Sequence, residues 1–557
     1  MTASVRPDQF RGVFRIDAEA RAVYSEAAGI ARVEPHAVAV PADADDVAAL
    51  VQWAARERVP LVPRGSGSSM AGGAIGDGVI VDLSRIAWMD AVDRERLSVR
   101  CGPGVVRDQL DAAARAVGLR FPVDPSSGAF CTLGGMASTN AAGARTLRYG
   151  SMRAWVNAVE CVFADGSRAW VRRGEPAPDV APIRRFLAEA ADELAQAERR
   201  TPSRHAEVRK ESSGYGVAAW AESGELVDLL VGSEGTLALF VALELRLAPL
   251  LPATASVLGA FDSLEAAVDG AGRARAAGAS ACELLDRTFL DVARTGGASV
   301  PVPLEAEAVL LAEVEGRDMA ECATHARMLE VGFRAAGATR VVLALDHDTE
   351  HAMWELRHAA SPILSRLDPS LKSMQFIEDG CVPPGRLADY VRGVRAALER
   401  QDIRGVIFGH AGDAHVHVNP LVNVADPTWR ARVVALLDEV ASLTARLGGT
   451  LSGEHGDGRL RAPLLPRVWS GEALAHFAAV KRAFDPETIL NPGAKLAAAG
   501  EHAVQEVKYD PSLPPLPAAA RQVLATVESE RAYARSRLEL LDAAHSSAPL
   551  DASGGAS

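Results

Sequence analysis

Three histidines fall within eight residues at 410–417, in the segment Gly-His-Ala-Gly-Asp-Ala-His-Val-His-Val-Asn (409–419). Imidazole nitrogens beside a carboxylate suit a borderline divalent ion. If 414–419 is a strand, His415 and His417 point to one face. The Gly-Asp turn after His410 can then fold that side chain back toward His417. A second segment, Ser-Gly-Glu-His-Gly-Asp-Gly-Arg-Leu-Arg (452–461), puts Glu454 and His455 in a tight turn between glycines, with no bulk around the reactive atoms. Its carboxylate can complete a His-His-Glu set while the neighbouring imidazole approaches a substrate. Either segment alone also fits a surface histidine cluster or side chains satisfied in a core, and only the two together carry weight.

Two glycine-rich stretches lie upstream. In the first, Arg64, Gly65, Ser66, Gly67, Ser68, Ser69, Gly72 and Gly73 follow a short apolar run. Glycine lets backbone N–H groups face an anion unobstructed, and the hydroxyls add donors, so a pyrophosphate suits this loop. It is neither a Walker loop, which would end in Gly-Lys-Ser/Thr, nor the GxGxxG turn that opens a helix. The second stretch runs over 121–150 and holds Pro122, Asp124, Ser126, Thr132, Gly134, Gly135, Ser138, Asn140 and Gly143. It has almost no bulk for a core and many hydrogen-bonding groups. A segment draped on a large polar cofactor fits it better than a linker.

The elements that must position these groups follow from hydrophobic periodicity. A strand at 37–41, a helix over 47–59, a buried strand at 60–63 and another at 78–86 frame the first loop. A strand at 97–103, a helix over 105–117 and a hairpin of 156–163 with 167–172 frame the second. Near 249–251 the pattern changes. Helices over 263–278 and 321–337 alternate with strands over 308–316 and 339–346, which is the grammar of an α+β domain with an antiparallel sheet. Helices are expected at 350–366, 386–400 and 427–447, with a short strand at 405–408 before the histidines. The expected division is a lead-in (1–34), a cofactor domain (35–248), a substrate or cap domain (249–470), a return to the cofactor (471–500) and a surface tail (501–557).

In this order the motifs resemble the FAD-linked oxidoreductases of the vanillyl-alcohol oxidase type. More closely, they are similar to the D-lactate, glycolate and D-2-hydroxyglutarate dehydrogenase branch. The likeness rests on RGSGSSMAGG, DPSS…TLGGMASTNAAGARTLRYG, KESSGYG (210–216), LLVGSEGTLALF (229–240), GHAGDAHVHVN, SGEHG and FDPETILNPGAK (484–495). It implies an α+β fold: a bipartite FAD-binding domain plus an α+β cap domain with an antiparallel sheet. FAD would be held noncovalently, because neither flavin loop has the histidine that some members use for attachment. The resemblance places Arg64–Ser69 and Gly72 at the phosphates. Pro122, Asp124, Ser126, Gly134, Gly135, Ser138, Asn140 and Gly143 would line the second side. Glu234 and Gly235 would lie at the adenine or ribose end, and Asn491 near the ring. It makes His410, His417 and Glu454 ligands of a divalent metal, zinc or manganese, and His455 the catalytic base. Arg357, in Trp354-Glu355-Leu356-Arg357, would clamp the substrate carboxylate, and Asn419 would contact the substrate or the metal region. The chain departs from the pattern at Ala414 and His415, where Gly and Asn are usual. His415 is read as a polar contact or a change of pocket shape, outside the ligand set.

The resemblance implies oxidation of a D-2-hydroxy acid to the 2-oxo acid. Hydroxyglutarate-type members have a Lys-Tyr-Asp stretch where this chain reads Ile377-Glu378-Asp379. That loss of positive charge favours a small acid such as D-lactate over a second-carboxylate substrate, with Arg366, Lys372 and Arg461 as substitutes in space. The six cysteines are scattered with no CxxC unit, which argues against an internal iron–sulfur cluster. Electrons would leave to a cytochrome, a quinone, an electron-transfer flavoprotein or a separate iron–sulfur subunit. A net charge of −13 and a pI near 5.6 argue against a nucleic-acid binder. The N-terminus lacks a signal segment and the apolar runs are short, so a cytoplasmic protein is expected. Attachment to the inner membrane face through a partner and homodimerisation are left open.

Overall fold

The computed structural model describes residues 6–295, 303, 305–358 and 370–547. The first sheet has the order Val13–Arg15, Ala37–Val40, Val79–Asp82, Leu61–Arg64. Its three pairings place 37–40 and 61–64 parallel to 79–82, with 13–15 antiparallel at one edge. These strands read as unbroken apolar runs because both faces are covered. Ala37, Ala39, Leu61, Val79 and Val81 pack against helix Ala44–Glu57, which is capped by Asp43. The alternate residues Val38, Val40, Val62 and Ile80 pack against helices Ala18–Tyr24, Ala518–Ser529 and Arg537–Ser547. Within the segment expected as a surface tail, Leu516, Ala520, Val523, Val527, Leu538 and Leu541 are buried and close the second face of this sheet. A second, antiparallel sheet follows in the order Ser98–Cys101, Leu239–Arg246, Val156–Val162, Arg168–Arg172.

The cap domain is built on an antiparallel sheet ordered Arg340–Ala344, Ala253–Phe261, Ala308–Gly316, Ala281–Asp286, Arg404–His410, His415–Asn423, Leu371–Ser373. Gly380–Cys381 adds an eighth strand beside His415–Asn423. The helix expected at 350–366 is described as His347–His358, and the remainder lies outside the described residues. Period-two alternation sorts the strand residues by face. Val257, Leu310, Val416 and Val418 face helices Leu264–Ala276, Met319–Ala335, Leu387–Arg400 and Trp429–Arg446.

The other face is divided. Leu285, Leu311, Val406, Phe408 and Leu421 pack under helices Arg287–Thr295 and His347–His358. Further along the same face, Glu283, Glu313, Glu315 and the three histidines are buried but polar. That polar half meets the second glycine-rich stretch. Arg145 holds Asp124 (2.6 Å) and both oxygens of Glu313 (2.6 and 2.7 Å). Tyr149 donates its hydroxyl to Glu315 at 2.6 Å, and Arg120 ion-pairs with the same carboxylate. Buried charges survive only when paired in this way.

Candidate active site where the cap sheet meets the glycine loops

Strand Arg404–His410 turns through a short 3-10 segment, 411–413, into His415–Asn423, so His410 pairs directly with His415 and Phe408 with His417. The turn needs a left-handed residue, and Ala414 adopts it at φ 54°. Across from this hairpin lies the loop 452–457. Asp379 anchors that loop: its carboxylate accepts from the backbone N–H groups of Glu454 (3.1 Å) and His455 (2.9 Å) and from the Ser452 hydroxyl (2.9 Å). Gly453 is required by space, since a Cβ there would lie 2.7 Å from the His415 ring.

His410, His415, His417 and Glu454 converge, and one ligand atom from each lies within 4.8 Å of the others. His410 Nε2 and His417 Nε2 are 3.3 Å apart. Glu454 Oε1 is 3.5 Å from the first and 3.3 Å from the second. A tetrahedron around an ion with bonds of about 2.0–2.1 Å has edges of roughly 3.3–3.4 Å, so this set could hold zinc. The electrostatics agree. His417 Nδ1 faces the Glu378 carbonyl at 2.8 Å and must donate to it, which leaves Nε2 a lone pair. His410 Nδ1 is engaged by the Glu283 carboxylate at 2.5 Å. Two imidazole lone pairs at 3.3 Å need a proton or a cation between them.

Burial disfavours charge on His410, but the adjacent Glu283 outweighs it and raises the imidazole, whereas burial lowers His417. Burial also works against an ionised Glu454, but Lys210, His410 and His415 hold it well below the usual carboxylate range. Lys210 donates to Glu454 Oε2 and to the Gly143 carbonyl, both at 3.0 Å. It thereby ties the second glycine-rich stretch to the cluster.

His455 differs from the cluster in being open: its side chain is 27% exposed, against 7–11% for His410, His417 and Glu454. Its Nδ1 lies 3.1 Å from Glu378 Oε1, and its ring stacks on His417 at 5.5 Å. Burial opposes its charge, yet Asp379 and Glu378 raise it to about 9. Arg461 is fully engaged below it, ion-paired with Glu378 and Asp379.

Arg357 is beside this group but not free in it. Its Nε donates to Glu283 at 2.7 Å and its guanidinium lies 4.6 Å over the Phe408 ring. It thus shares Glu283 with His410. Asn419, on the same strand face as His415 and His417, accepts from Gln375 at 2.9 Å.

The two glycine loops also come together. A Cβ on Gly65 would meet Thr132 Oγ1 at 2.2 Å, so the loop after the strand Leu61–Arg64 lies against the N-terminus of helix Leu133–Thr139. Ser69 Oγ is buried without a hydrogen-bond partner, Gly67 and Gly72 have φ of 74° and 77°, and Gly135 and Ser138 are half-buried. An unsatisfied buried hydroxyl among bare backbone suits a polar cofactor. Pro122 and Gly134 are buried, the latter packed on Pro103, while Ser126 is exposed.

Several side chains expected to face the cofactor have hydrogen-bond partners within the protein. Arg64 donates to the carbonyls of Tyr24, Glu26 and Ala74. Asp124 binds Arg145, and Asn140 accepts from the Arg153 N–H. Glu234 accepts from the N–H groups of Asp457 (2.6 Å) and Gly458 (2.9 Å) and pairs with Lys495 at 3.0 Å. Asn491 donates to the carbonyls of Gly73 and Glu234 and accepts from Arg459. Glu234 and Asn491 therefore clamp the 452–461 loop to the cofactor domain, and Gly235 is pressed against Pro63. The reading from residue types missed Lys210, Glu283 and Lys495. Glu283 carried a signal, an acid inside the apolar strand Ala281–Asp286.

Comparison with known proteins accords with this architecture. Residues 35–172 match the FAD binding domain family, and residues 250–494 match the C-terminal domain of FAD linked oxidases. The chain is 30% identical over 473 residues to glycolate oxidase subunit GlcD of Bacillus subtilis, covering 83% of this chain and 89% of that one. It is 30% identical over 463 residues to D-lactate dehydrogenase of Archaeoglobus fulgidus, covering 83% and 91%. It is also 30% identical to D-2-hydroxyglutarate dehydrogenase of Pseudomonas putida, of whose length it spans 51%. Among solved structures, 4-ethylphenol oxidase from Gulosibacter chungangensis shares the fold with a TM-score of 0.65 at 17% identity, over 87% of this chain and 94% of that one. This chain belongs to the FAD-linked oxidoreductases of the vanillyl-alcohol oxidase type, in the group that contains the FAD-dependent 2-hydroxy-acid dehydrogenases.

Proposed function

We propose that this protein oxidises a small D-2-hydroxy acid, D-lactate foremost, to the 2-oxo acid, passing electrons to an acceptor other than NAD. The observation that carries the reading is the open imidazole of His455 beside the buried His410–His417–Glu454 cluster. Bound FAD supplies the two-electron acceptor for the hydrogen on C2. A divalent ion held by the cluster would supply Lewis-acid polarisation of a substrate oxygen.

The protein's own groups do the rest. Glu378 occupies His455 Nδ1, leaving Nε2 to take the proton of the C2 hydroxyl. At about 9 this imidazole is mostly protonated in neutral solution, and positive charge entering the adjacent cluster favours its free-base form. Arg357, oriented by Glu283, is the cation that the His347–His358 helix brings beside the cluster and is assigned the substrate carboxylate. Asn419 lies on the same face for a further polar contact.

Substrate size is argued from charge. Arg461 is neutralised by Glu378 and Asp379. Lys372 pairs with Val422, on the opposite sheet face from His417 and Asn419. Arg366 lies outside the described residues. Neither described cation is placed to receive a second carboxylate, which favours lactate or glycolate over hydroxyglutarate. The test is anaerobic reduction of the bound flavin by D-lactate, L-lactate, glycolate and D-2-hydroxyglutarate. D-lactate should bleach it fastest; faster bleaching by D-2-hydroxyglutarate would overturn the substrate reading.

A second reading is a flavoprotein subunit relaying electrons to an iron–sulfur partner. It is favoured by the name of a relative, a glycolate oxidase subunit. Co-purification of an iron–sulfur protein, with no turnover by the isolated chain, would select it. No helix among the described residues is long and apolar enough to cross a membrane.

A further inference from the structure

We infer that His415 is a third imidazole ligand, making the cluster a site of three histidines and one glutamate. This rests on the reading of the cluster as a metal centre and goes beyond it in ligand set.

The case is made by the outer nitrogen of each ring. A neutral imidazole has one N–H and one lone pair, so whatever binds the outer nitrogen decides what the inner one offers. His417 gives its outer N–H to the Glu378 carbonyl, and His410 has Glu283 on its outer Nδ1. His415 follows the same rule with the ring reversed: its outer Nε2 lies 2.8 Å from Asp379 Oδ1. Asp379 also accepts two backbone N–H groups and the Ser452 hydroxyl and lies beside Arg461, so it is an acceptor and His415 Nε2 carries the proton. The lone pair is then on Nδ1.

That Nδ1 is buried and has no hydrogen-bond partner, in a residue with no exposed surface. It lies 3.9 Å from Glu454 Oε2, and the ring offers one nitrogen to the same 4.8 Å group as His410, His417 and Glu454. An unsatisfied buried acceptor 3.9 Å from a carboxylate oxygen is costly without a cation. The backbone around it is adapted to this ring. Ala414 holds a left-handed conformation to bring His415 into the strand, and Gly453 leaves room that a Cβ would fill.

The test uses the FAD-loaded protein, freed of metal by a chelator. Zinc is titrated in competition with a chromophoric chelator, for wild type and for His415→Asn. In parallel, wild type is loaded with cupric ion and its EPR nitrogen couplings are counted. Wild type should bind one zinc per chain. His415→Asn should weaken zinc binding by more than about 10-fold, the loss usual for even an outer-sphere partner. Copper should report three imidazole nitrogens. Equal zinc affinity in the variant, or two nitrogens in wild type, would overturn the role of His415 and leave the metal centre standing. Failure of wild type to bind zinc or copper would overturn both. If the variant loses its FAD, the nitrogen count in wild type decides alone.

Discussion

His455 is set apart by a part-exposed ring with one nitrogen engaged. Glu378 holds Nδ1, so Nε2 is the atom that can exchange a proton with a substrate. His455→Gln should keep FAD bound and lower the rate of flavin reduction by roughly 10²–10⁴-fold, the usual contribution of a positioned base. Unchanged reduction in rapid-mixing experiments would remove His455 from that role. At this scale the sequence was informative about which residues gather, since His410, His417, Glu454 and His455 stand together as their spacing suggested. It was not informative about their supports. Glu283, Lys210 and Asp379 come from three distant segments, and only the folded sheet brings their charges within reach.

At the scale of elements, the hairpin 404–423 and the loop 452–461 matter most. In the hairpin, the short strand at 405–408 and the shared face of His415 and His417 were readable from period-two alternation. The tightness of its turn was not, because Ala414 gives no sign of the left-handed conformation it adopts at φ 54°. An L-residue there costs about 1–2 kcal/mol. Ala414→Gly should therefore stabilise the protein by about 1 kcal/mol, seen as a higher melting temperature. A lower one would mean that the alanine side chain is needed.

The loop 452–461 is held by a buried lysine. Lys495 donates to the Ser212 carbonyl at 2.6 Å and pairs with Glu234 and Asp457. Lys495→Met leaves two buried carboxylates short of a cation and should cost about 3–5 kcal/mol. Thermal unfolding of the FAD-loaded protein checks this, and an unshifted transition would contradict it. Glu234 and Asn491 are expected at the cofactor from motif position; their bonds to Asp457, Gly458 and Arg459 of this loop leave no local sequence pattern.

The whole molecule places chemistry at a seam. The cofactor domain brings two glycine loops to one side, and the polar half of the cap sheet brings its acids and histidines to the other. Arg145, Arg120 and Lys210 cross between them. The C-terminal helices belong to this arrangement, because they cover Val38, Val40, Val62 and Ile80. Deleting residues from 516 onward should expose that face, lower the melting temperature and release FAD; a fully flavinated, equally stable truncation would contradict the packing. Their role was hard to read because a short amphipathic helix looks the same whether it lies on a sheet or in solvent.

The central claim joins flavin, cluster and base in one oxidation. It is tested most directly by mixing the FAD-loaded protein with D-lactate without oxygen and following flavin absorbance, before and after chelation and after zinc is restored. The flavin should bleach, bleach far more slowly once chelated, and regain its rate with zinc. Bleaching at the same rate throughout would contradict the account.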